Sequence, residues 1–253
     1  MEILTAVYFG YLAAIAVARR KVRPAVLSMA ALVCLFTVGM PHVMPLVYLL
    51  SGYWLPALLV REPNSGLEQR LLNVDRTLFG AHGLEHFERR APRALIEYLE
   101  LAYLLCYAVV PAGFACLLFA GYPAHALDTF WLVVLLAAFG CYGVLPWLPT
   151  RAPRAIEPPG REMRSWIRRV NLAVLNRASV QWNTFPSGHT AASLATALAV
   201  GIHMPLVGVV LGIVALSIAA GSIVGRYHYA ADAIVGAAVA VLAFVTATVA
   251  RGL

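Results

Sequence analysis

The amino-acid sequence predicts an all-α protein, a polytopic transmembrane helical bundle with about eight spans. Hydrophobic residues make up 61% of its 253 residues and charged residues only 12%, whereas soluble domains carry about 25% charged residues. The mean hydropathy is correspondingly high, at +0.78. Apolar runs close to the ~20 residues needed to cross a bilayer recur along the whole chain, and this recurrence predicts several crossings.

The predicted spans follow from the apolar runs and the breaks between them. The apolar stretch 25–60 is too long for one crossing, and Pro41-His42 provides a break, because proline interrupts a helix. Residues 1–42 are therefore predicted to form an N-terminal membrane hairpin, and residues 43–253 the membrane core. The eight spans are predicted at 3–18, 25–40, 43–60, 95–120, 126–147, 187–203, 205–225 and 229–250.

Two long polar segments, 61–94 and 148–185, interrupt the spans, and both are rich in arginine. The first alternates apolar and charged residues at helical spacing, which is typical of a helix that lies in the membrane interface. We expect both segments to be interfacial. With eight spans, they fall on the same face of the bundle as the turns at 19–24 and 226–228. All Lys and Arg residues except Arg251 lie in these four stretches.

This basic face bears on how the protein is oriented in its membrane, which we expect to be a bacterial plasma membrane. The positive-inside rule places the basic face in the cytoplasm. A substrate-binding site is the alternative explanation for the basic face. Arginines that bind an anionic substrate would cluster on one face of the bundle whether that face lies in the cytoplasm or outside it. The RRKVR turn at 19–23 shows no sign of a binding site and therefore favours the cytoplasmic orientation.

The cysteines and tryptophans are typical of membrane helices. Each cysteine lies inside an apolar run and none forms a Cys-x-x-Cys pair, which indicates neither a disulfide nor a metal site. The tryptophans at 131, 147 and 166 are typical of the belt at a membrane surface. We expect the bilayer to surround the protein and expect no nucleic-acid partner. The four cysteines are Cys34, Cys106, Cys116 and Cys141.

The hexapeptide FPSGHT, residues 185–190, precedes a run rich in alanine, leucine and valine. Pro186 suits the first turn of a helix, where its missing N–H has no partner. Ser187 and Gly188 are then predicted to place free backbone N–H groups at the positive end of the helix, which favours anions. Glycine also lets an anion approach the backbone closely. His189 lies within reach of such an anion, although a simple helix cap with an incidental histidine is the alternative.

The second informative stretch is GSIVGRYHYAADAIVG, residues 221–236. His228 and Asp232 are four apart and share one face of a helix. A carboxylate bonded to one ring nitrogen leaves the other unprotonated, as a nucleophile or base, and a charge inside an apolar helix indicates function. Arg226 can hold two phosphate oxygens with its planar guanidinium. A structural His–Asp pair that joins two helices is the alternative.

Together these two stretches supply what phosphoryl transfer through a phosphohistidine requires. One imidazole attacks phosphorus, and a second, protonated imidazole gives its proton to the departing alkoxide. Arginines and backbone N–H groups stabilise the charge on the equatorial oxygens. Both stretches are predicted to lie on the basic face, so the groups can converge on one site.

In these two stretches the chain resembles a known family, the type-2 phosphatidic acid phosphatases. The residues 186–189, Pro-Ser-Gly-His, and the stretch HYAADAIVG are similar to the second and third signatures of these membrane lipid phosphatases, whose helical core is shared with vanadium haloperoxidases. The resemblance spans residues 95–250 and implies a six-helix core, a lipid phosphate substrate, and neither a metal nor a cofactor. It implies His228 as nucleophile, Asp232 as the residue that orients it, His189 as general acid, and Ser187, Gly188 and arginines as phosphate-binding residues.

The arginine positions differ from the family pattern. Members usually carry an arginine six residues before the nucleophile, where this chain has Ser222, and we infer that Arg226 replaces it. The first family signature is Lys, six residues, Arg and Pro. Arg154, AIEPPG and Arg161 match this spacing, and RAPR at 151–154 is the other candidate.

Further residues are candidates for contacts with the substrate. Arg151, from RAPR, is one of them. Asn183 lies just before the helix start and could touch substrate or close a turn. The residues 97, 100, 103 and 107 share one face of the fourth predicted span. They would line a headgroup pocket or pack at the interface, and they are Glu97, Glu100, Tyr103 and Tyr107.

The function predicted from the sequence is a metal-independent lipid phosphate phosphatase. A lipid phosphotransferase is the nearest alternative, because the altered first signature and the stretch VDRTLFG, residues 74–80, resemble the branch that includes inositol-phosphorylceramide synthases. A transporter or channel with an intramembrane His–Asp pair is the third hypothesis. It predicts that function survives the loss of His228.

Overall fold

The computed structural model describes residues 1–37, 44–60, 62–80, 82–157 and 165–252. Over these residues the protein is built from helices and turns, with one isolated bridge between Thr150 and Asn183, so the all-α prediction is confirmed. The helices are α1 (Glu2–Ala18), α2 (Val22–Thr37), α3 (Met44–Trp54), α4 (Ser65–Phe79), α5 (Gly83–Arg90), α6 (Arg93–Leu104), α7 (Val109–Phe119), α8 (Ala124–Tyr142), α9 (Pro153–Ile156), α10 (Trp166–Ala178), α11 (Gly188–Gly201), α12 (Pro205–Val224) and α13 (Ala230–Arg251).

The helices α8, α12 and α13 are each long and apolar enough to cross a membrane. The predicted span 95–120 is instead a bent pair, because α6 with its 3₁₀ turn Leu105–Tyr107 meets α7 at an angle of 61°. The chain is a membrane protein, as predicted. The count of eight spans and the division at residue 42 stay predictions, and the break at Pro41-His42 lies outside the described residues.

The interior of the bundle is formed around α8 and α11. Nearly every side of α8 is buried, and α11 packs against α7, α8, α12 and α13. Trp131 on α8 is 1% exposed and packs against Phe114 and Phe130. Its prediction as a belt residue is therefore wrong, whereas Trp147 and Trp166 are exposed.

The basic stretches meet at one end of the bundle, as the sequence predicts. Arg19 donates to the carbonyl oxygens of Leu59 and Pro146, and the Asn64 N–H donates to the Pro149 carbonyl at 2.7 Å. The two polar segments also contain regular helices, α4 and α5 in the first and α10 in the second. These helices bring the arginine-rich chain back onto the ends of α6 and α13.

Candidate active site

The turn between α12 and α13 presents His228. The N–H groups of Tyr227 and His228 both donate to the Ser222 carbonyl, at 2.9 and 3.0 Å, and the Arg226 N–H donates to the Ile223 carbonyl at 3.0 Å. This is the Schellman pattern at a helix end. Arg226 occupies its left-handed position, with φ of 55°, where a residue other than glycine costs about 1–2 kcal/mol.

Asp232 fixes the orientation of the His228 ring. The Asp232 Oδ2 atom lies 3.3 Å from His228 Nδ1 and accepts the Tyr229 N–H at 3.0 Å. The Thr184 carbonyl oxygen lies 3.0 Å from the same ring nitrogen. Two acceptors at Nδ1 favour a proton there and leave the lone pair on Nε2. His228 and Asp232 are both buried, so bulk water competes little for these bonds.

The start of α11 is attached directly to α13. The Ser187 side chain accepts the Thr190 N–H at 3.3 Å and so caps the helix. The Ser187 N–H donates to the Asp232 carbonyl at 2.9 Å, so the prediction of a free N–H at this residue is wrong. The reason is close packing: a Cβ on Gly236 of α13 would collide with the Ser187 carbonyl. The helix α11, which carries His189, and the helix α13, which follows the His228 turn, are therefore held in one register.

Gly188 and His189 follow in the first turn of α11, where backbone N–H groups have no acceptor within the helix. A Cβ on Gly188 would collide with the ring of Tyr142. Glycine at this position is thus required for packing, independently of the anion access that the sequence predicts. The N–H groups of both residues lie at the positive end of α11.

The two candidate catalytic imidazoles are neighbours. The ring centroids of His189 and His228 are 5.7 Å apart, and the ring planes are nearly perpendicular at 87°. Tyr103 and Tyr107 present ring edges to His189 at centroid distances of 5.8 and 5.7 Å, and Tyr53 lies at 6.4 Å. The two imidazoles therefore lie edge to face, with the rings of Tyr103 and Tyr107 beside His189.

Arg154 joins this cluster through the tyrosines. Its guanidinium carbon lies 4.9 Å from the ring centroid of Tyr227, which stacks on Tyr103 at 4.2 Å. Burial lowers the pKa of Arg154, and the neighbouring Tyr103 and Tyr227 act in the opposite direction. Among the residues that the structure describes, no carboxylate lies within ion-pair distance of this guanidinium. A partly buried guanidinium with aromatic contacts can still form charge-assisted bonds to an anion.

The Arg226 side chain is held by two glutamates. Its Nη2 lies 3.0 Å from Glu157 Oε2 and its Nη1 4.0 Å from Glu85 Oε1, while Nε is buried without a partner in the described part of the chain. Arg226 lines a cleft with these two glutamates, Asp75 and Arg76. Burial raises the pKa of Glu157, but hydrogen bonds from Arg226 and Arg76 outweigh it, so the net shift is downward.

Two of the remaining sequence candidates, Arg151 and Asn183, are bound to partners other than the imidazoles. Arg151 is held by Glu68, which accepts from its backbone N–H, Nε and Nη2 at 2.8, 3.1 and 2.8 Å. Asn183 pairs with Thr150 through the backbone and closes a turn. Arg161 lies outside the described residues.

The sequence interpretation named Glu100 but missed the buried polar cluster that it forms with residues of α10 beneath Tyr227. Glu100 accepts from the Tyr227 hydroxyl at 2.6 Å and from Asn171 Nδ2 at 2.8 Å, and it pairs with Arg168 at 3.3 Å. Arg168 also lies 3.7 Å from Glu88. Arg168, Asn171 and Leu175 are buried on α10. These residues are three and four positions apart and therefore share one face of the helix. This spacing could have predicted from the sequence that α10 buries a polar face.

The fold and the site define a class: a helical membrane protein in which two adjacent imidazoles are accompanied by a carboxylate, bonded to one of them, and by a guanidinium that lies over a neighbouring tyrosine. A family model described as the PAP2 superfamily matches residues 69–246. The chain belongs to the PAP2 superfamily, whose members generally catalyse phosphoester hydrolysis, and the predicted resemblance is confirmed. The match begins within α4, ahead of the region on which the resemblance was based. Comparison with curated proteins and with solved structures finds no match.

Proposed function

We propose that this protein is a membrane lipid phosphate phosphatase, which hydrolyses a lipid phosphomonoester through a phosphohistidine without a metal. The observation that carries this proposal is the proximity of His189 and His228, whose ring centroids are 5.7 Å apart, together with the contact between His228 Nδ1 and Asp232. The substrate's hydrocarbon tail would stay among the spans, while its phosphate meets the basic end of the bundle.

The reaction proceeds in two halves. His228 Nε2 attacks phosphorus, and the bond to the lipid oxygen breaks as the P–N bond forms; His189, protonated, gives its proton to the departing alkoxide. In the second half, His189 takes a proton from water, whose oxygen attacks phosphorus as the P–N bond breaks. Phosphate leaves, and both imidazoles return to their starting states.

Several groups would stabilise the charge that develops on the equatorial oxygens. We assign this role first to Arg154, whose guanidinium lies over the ring of Tyr227, and to the N–H groups of Gly188 and His189 at the start of α11. Ser187 contributes by holding the start of α11 in place. We also assign phosphate contacts to Arg161 and to Arg226, which would exchange Glu157 for the phosphate.

A phosphate-release assay tests the proposed function. Purified protein in detergent is given phosphatidic acid, with and without EDTA and orthovanadate. Release that persists in EDTA and stops with micromolar vanadate, which adopts the trigonal-bipyramidal shape of the transferring group, is expected. A strict requirement for magnesium, or indifference to vanadate, would contradict the phosphohistidine mechanism.

A lipid phosphotransferase is the second candidate, because the cleft beside the His228 turn carries both acceptors and donors for hydroxyl groups. Its lining includes Asp75, Glu85, Glu157, Arg76 and Arg226. The same assay distinguishes the two functions when a polyol such as glycerol or inositol is added. Free phosphate as the main product supports the phosphatase, whereas a phosphorylated polyol supports the transferase.

The two arginines are expected to differ in their effect on activity. Arg154→Gln should reduce kcat/KM by about 100-fold, the scale for removing one preorganised donor, because no carboxylate in the described part of the chain competes for this guanidinium. Arg226→Gly should reduce it by roughly 10-fold, since a bond to Glu157 must first be exchanged. Glycine is chosen because it accepts the left-handed backbone of residue 226. A larger loss for Arg226→Gly, measured with a soluble aryl phosphate, would reverse this assignment.

The side of the membrane that the site faces requires its own experiment. Charge bias favours the cytoplasm, whereas members of the family commonly place the site in the other compartment. Glu62 is exposed at the basic end of the bundle. In a bacterial host, Glu62→Cys in a chain without its four native cysteines should react with an impermeant maleimide only from the side that the site faces. Labelling in intact cells would contradict the cytoplasmic orientation.

A further inference from the structure

The helix α4 turns a face with two carboxylates toward the site. Its buried residues are Glu68, Leu71, Leu72 and Asp75, which share one face of the helix. Leu71 and Leu72 pack against the buried ring of Tyr229, which directly follows His228. Because acidic side chains are rarely buried unless they are paired, each carboxylate of this face needs a specific partner.

The first carboxylate, Glu68, holds the chain that leads to Arg154. It binds both the backbone and the guanidinium of Arg151. The Arg151 carbonyl in turn accepts from the Tyr229 hydroxyl at 3.0 Å. One end of α4 therefore joins the 151–154 segment to the turn that carries His228.

The second carboxylate, Asp75, binds the start of α13. Its Oδ1 accepts the Ala230 N–H at 2.9 Å, and the residue is 8% exposed. Ala230 is the first residue of α13, so this N–H has no acceptor within its own helix. A negative charge at a helix N-terminus is also favoured by the helix dipole.

The bond to Ala230 lies within the segment that connects His228 to Asp232. The neighbouring Tyr229 N–H is bound by Asp232, so two successive backbone donors are each held by a carboxylate. A tilt of the first turn of α13 would change the distance between His228 Nδ1 and Asp232 Oδ2. Nucleophilic attack is sensitive to such displacements, and a misplacement of 1 Å costs about 100-fold in rate.

We propose that Asp75 is a positioning residue for the nucleophile: through the Ala230 N–H it sets the first turn of α13 and keeps the His228 imidazole aligned with Asp232. This inference rests on the proposed phosphohistidine function. It also gives the polar segment 61–94 a role beyond lying in the interface, because α4 becomes part of the support for the site.

The charge of Asp75 must be separated from its hydrogen bond in any test. Burial raises the pKa of Asp75 to about 6, with Asp232 and Glu157 adding to the effect and the Ala230 N–H and Arg226 opposing it. At pH 7.5 the side chain is therefore mainly ionised. Asp75→Asn removes the charge but keeps an oxygen that accepts the Ala230 N–H, whereas Asp75→Ala removes both.

Rapid-quench labelling with a ³²P-labelled soluble aryl phosphate at pH 7.5 provides the test. With the enzyme in saturating excess over substrate, the rate constant for loss of the aryl phosphate reports phosphoryl transfer, and the amount of vanadate bound at saturation reports the fraction of correctly folded sites. Asp75→Ala should lower the rate constant by about 30- to 100-fold at unchanged vanadate-binding capacity, and Asp75→Asn should stay within about 3-fold of the wild type, since its acceptor is retained. Glu62→Gln, a charge removal at an exposed site, should have no effect.

The outcomes separate this role from a general contribution to folding. A reduced vanadate-binding capacity with an unchanged rate constant in Asp75→Ala would assign the residue to folding and overturn the proposal. An Asp75→Asn variant as slow as Asp75→Ala would show that charge, not the Ala230 hydrogen bond, matters, and would also overturn it. If the wild-type protein gives no labelled enzyme, the phosphohistidine function itself fails, and the positioning role fails with it.

Discussion

Replacing His228 with alanine is expected to abolish turnover, with kcat reduced by at least about 10⁴-fold, as when an enzyme loses its covalent nucleophile. The reason is geometric: His228 is the imidazole whose Nδ1 is bound by Asp232 and the Thr184 carbonyl, so its Nε2 is the prepared nucleophile. The measurement is phosphate release from phosphatidic acid, combined with ³²P labelling of the protein.

A histidine remote from the site gives the matched control. The His203 carbonyl binds the Tyr122 hydroxyl at the other end of α11, so His203→Ala should keep activity and labelling. Retained labelling in His228→Ala would show that another residue carries the phosphoryl group. A transport function that persists in His228→Ala without any phosphate release would instead favour the transporter hypothesis.

The residues that could be predicted from the sequence are those joined by local spacing. The four-residue spacing of His228 and Asp232 predicts their contact, and the contact forms although His228 lies in the turn before α13 and not on the helix itself. FPSGHT predicts a helix start, and α11 begins at Gly188. Apolar runs gave the positions of α8, α12 and α13 within a few residues, because a bilayer requires a fixed length.

The hydrogen bonds that could not be predicted from the sequence join segments that are distant along the chain. The Ser187 N–H is bound by the Asp232 carbonyl and the Arg226 side chain by Glu157, and neither partner can be identified from local spacing. The same holds for Asp75 and Ala230, which are 155 positions apart. The hydrophobic pattern marks the face of α4 that is buried, but not the helix against which it packs.

These distant contacts also suggest why the site is built at the junction of three segments. The proposed nucleophile lies between α12 and α13, the second imidazole lies in the first turn of α11, and Arg154 lies on a segment held by α4. A substrate phosphate would contact all three at once, so its binding depends on their relative placement. Backbone bonds such as Ser187 to Asp232 and Arg154 to Arg226 fix that placement before a substrate arrives, which is the preorganisation that electrostatic stabilisation requires.

Replacing His189 with alanine is expected to separate substrates by their leaving groups. An alkoxide leaves poorly without a proton, so the loss of the general acid should slow attack on a lipid phosphate by about 10³-fold, within the usual range for acid–base catalysis. A nitrophenolate leaves readily without protonation, so attack on p-nitrophenyl phosphate should slow by less than about 10-fold. His189 and His228 lie side by side, which places the acid where a leaving oxygen would depart.

The comparison must be made on the burst phase, because His189 is also assigned to activate water in the second half-reaction, which both substrates share. Rapid-quench labelling of His189→Ala with each substrate isolates the first half. Steady-state turnover should fall for both substrates, whereas the burst rate constants should diverge. Equal losses in the two burst rate constants would contradict the role of general acid and leave His189 with phosphate binding alone, since a binding group affects both substrates alike.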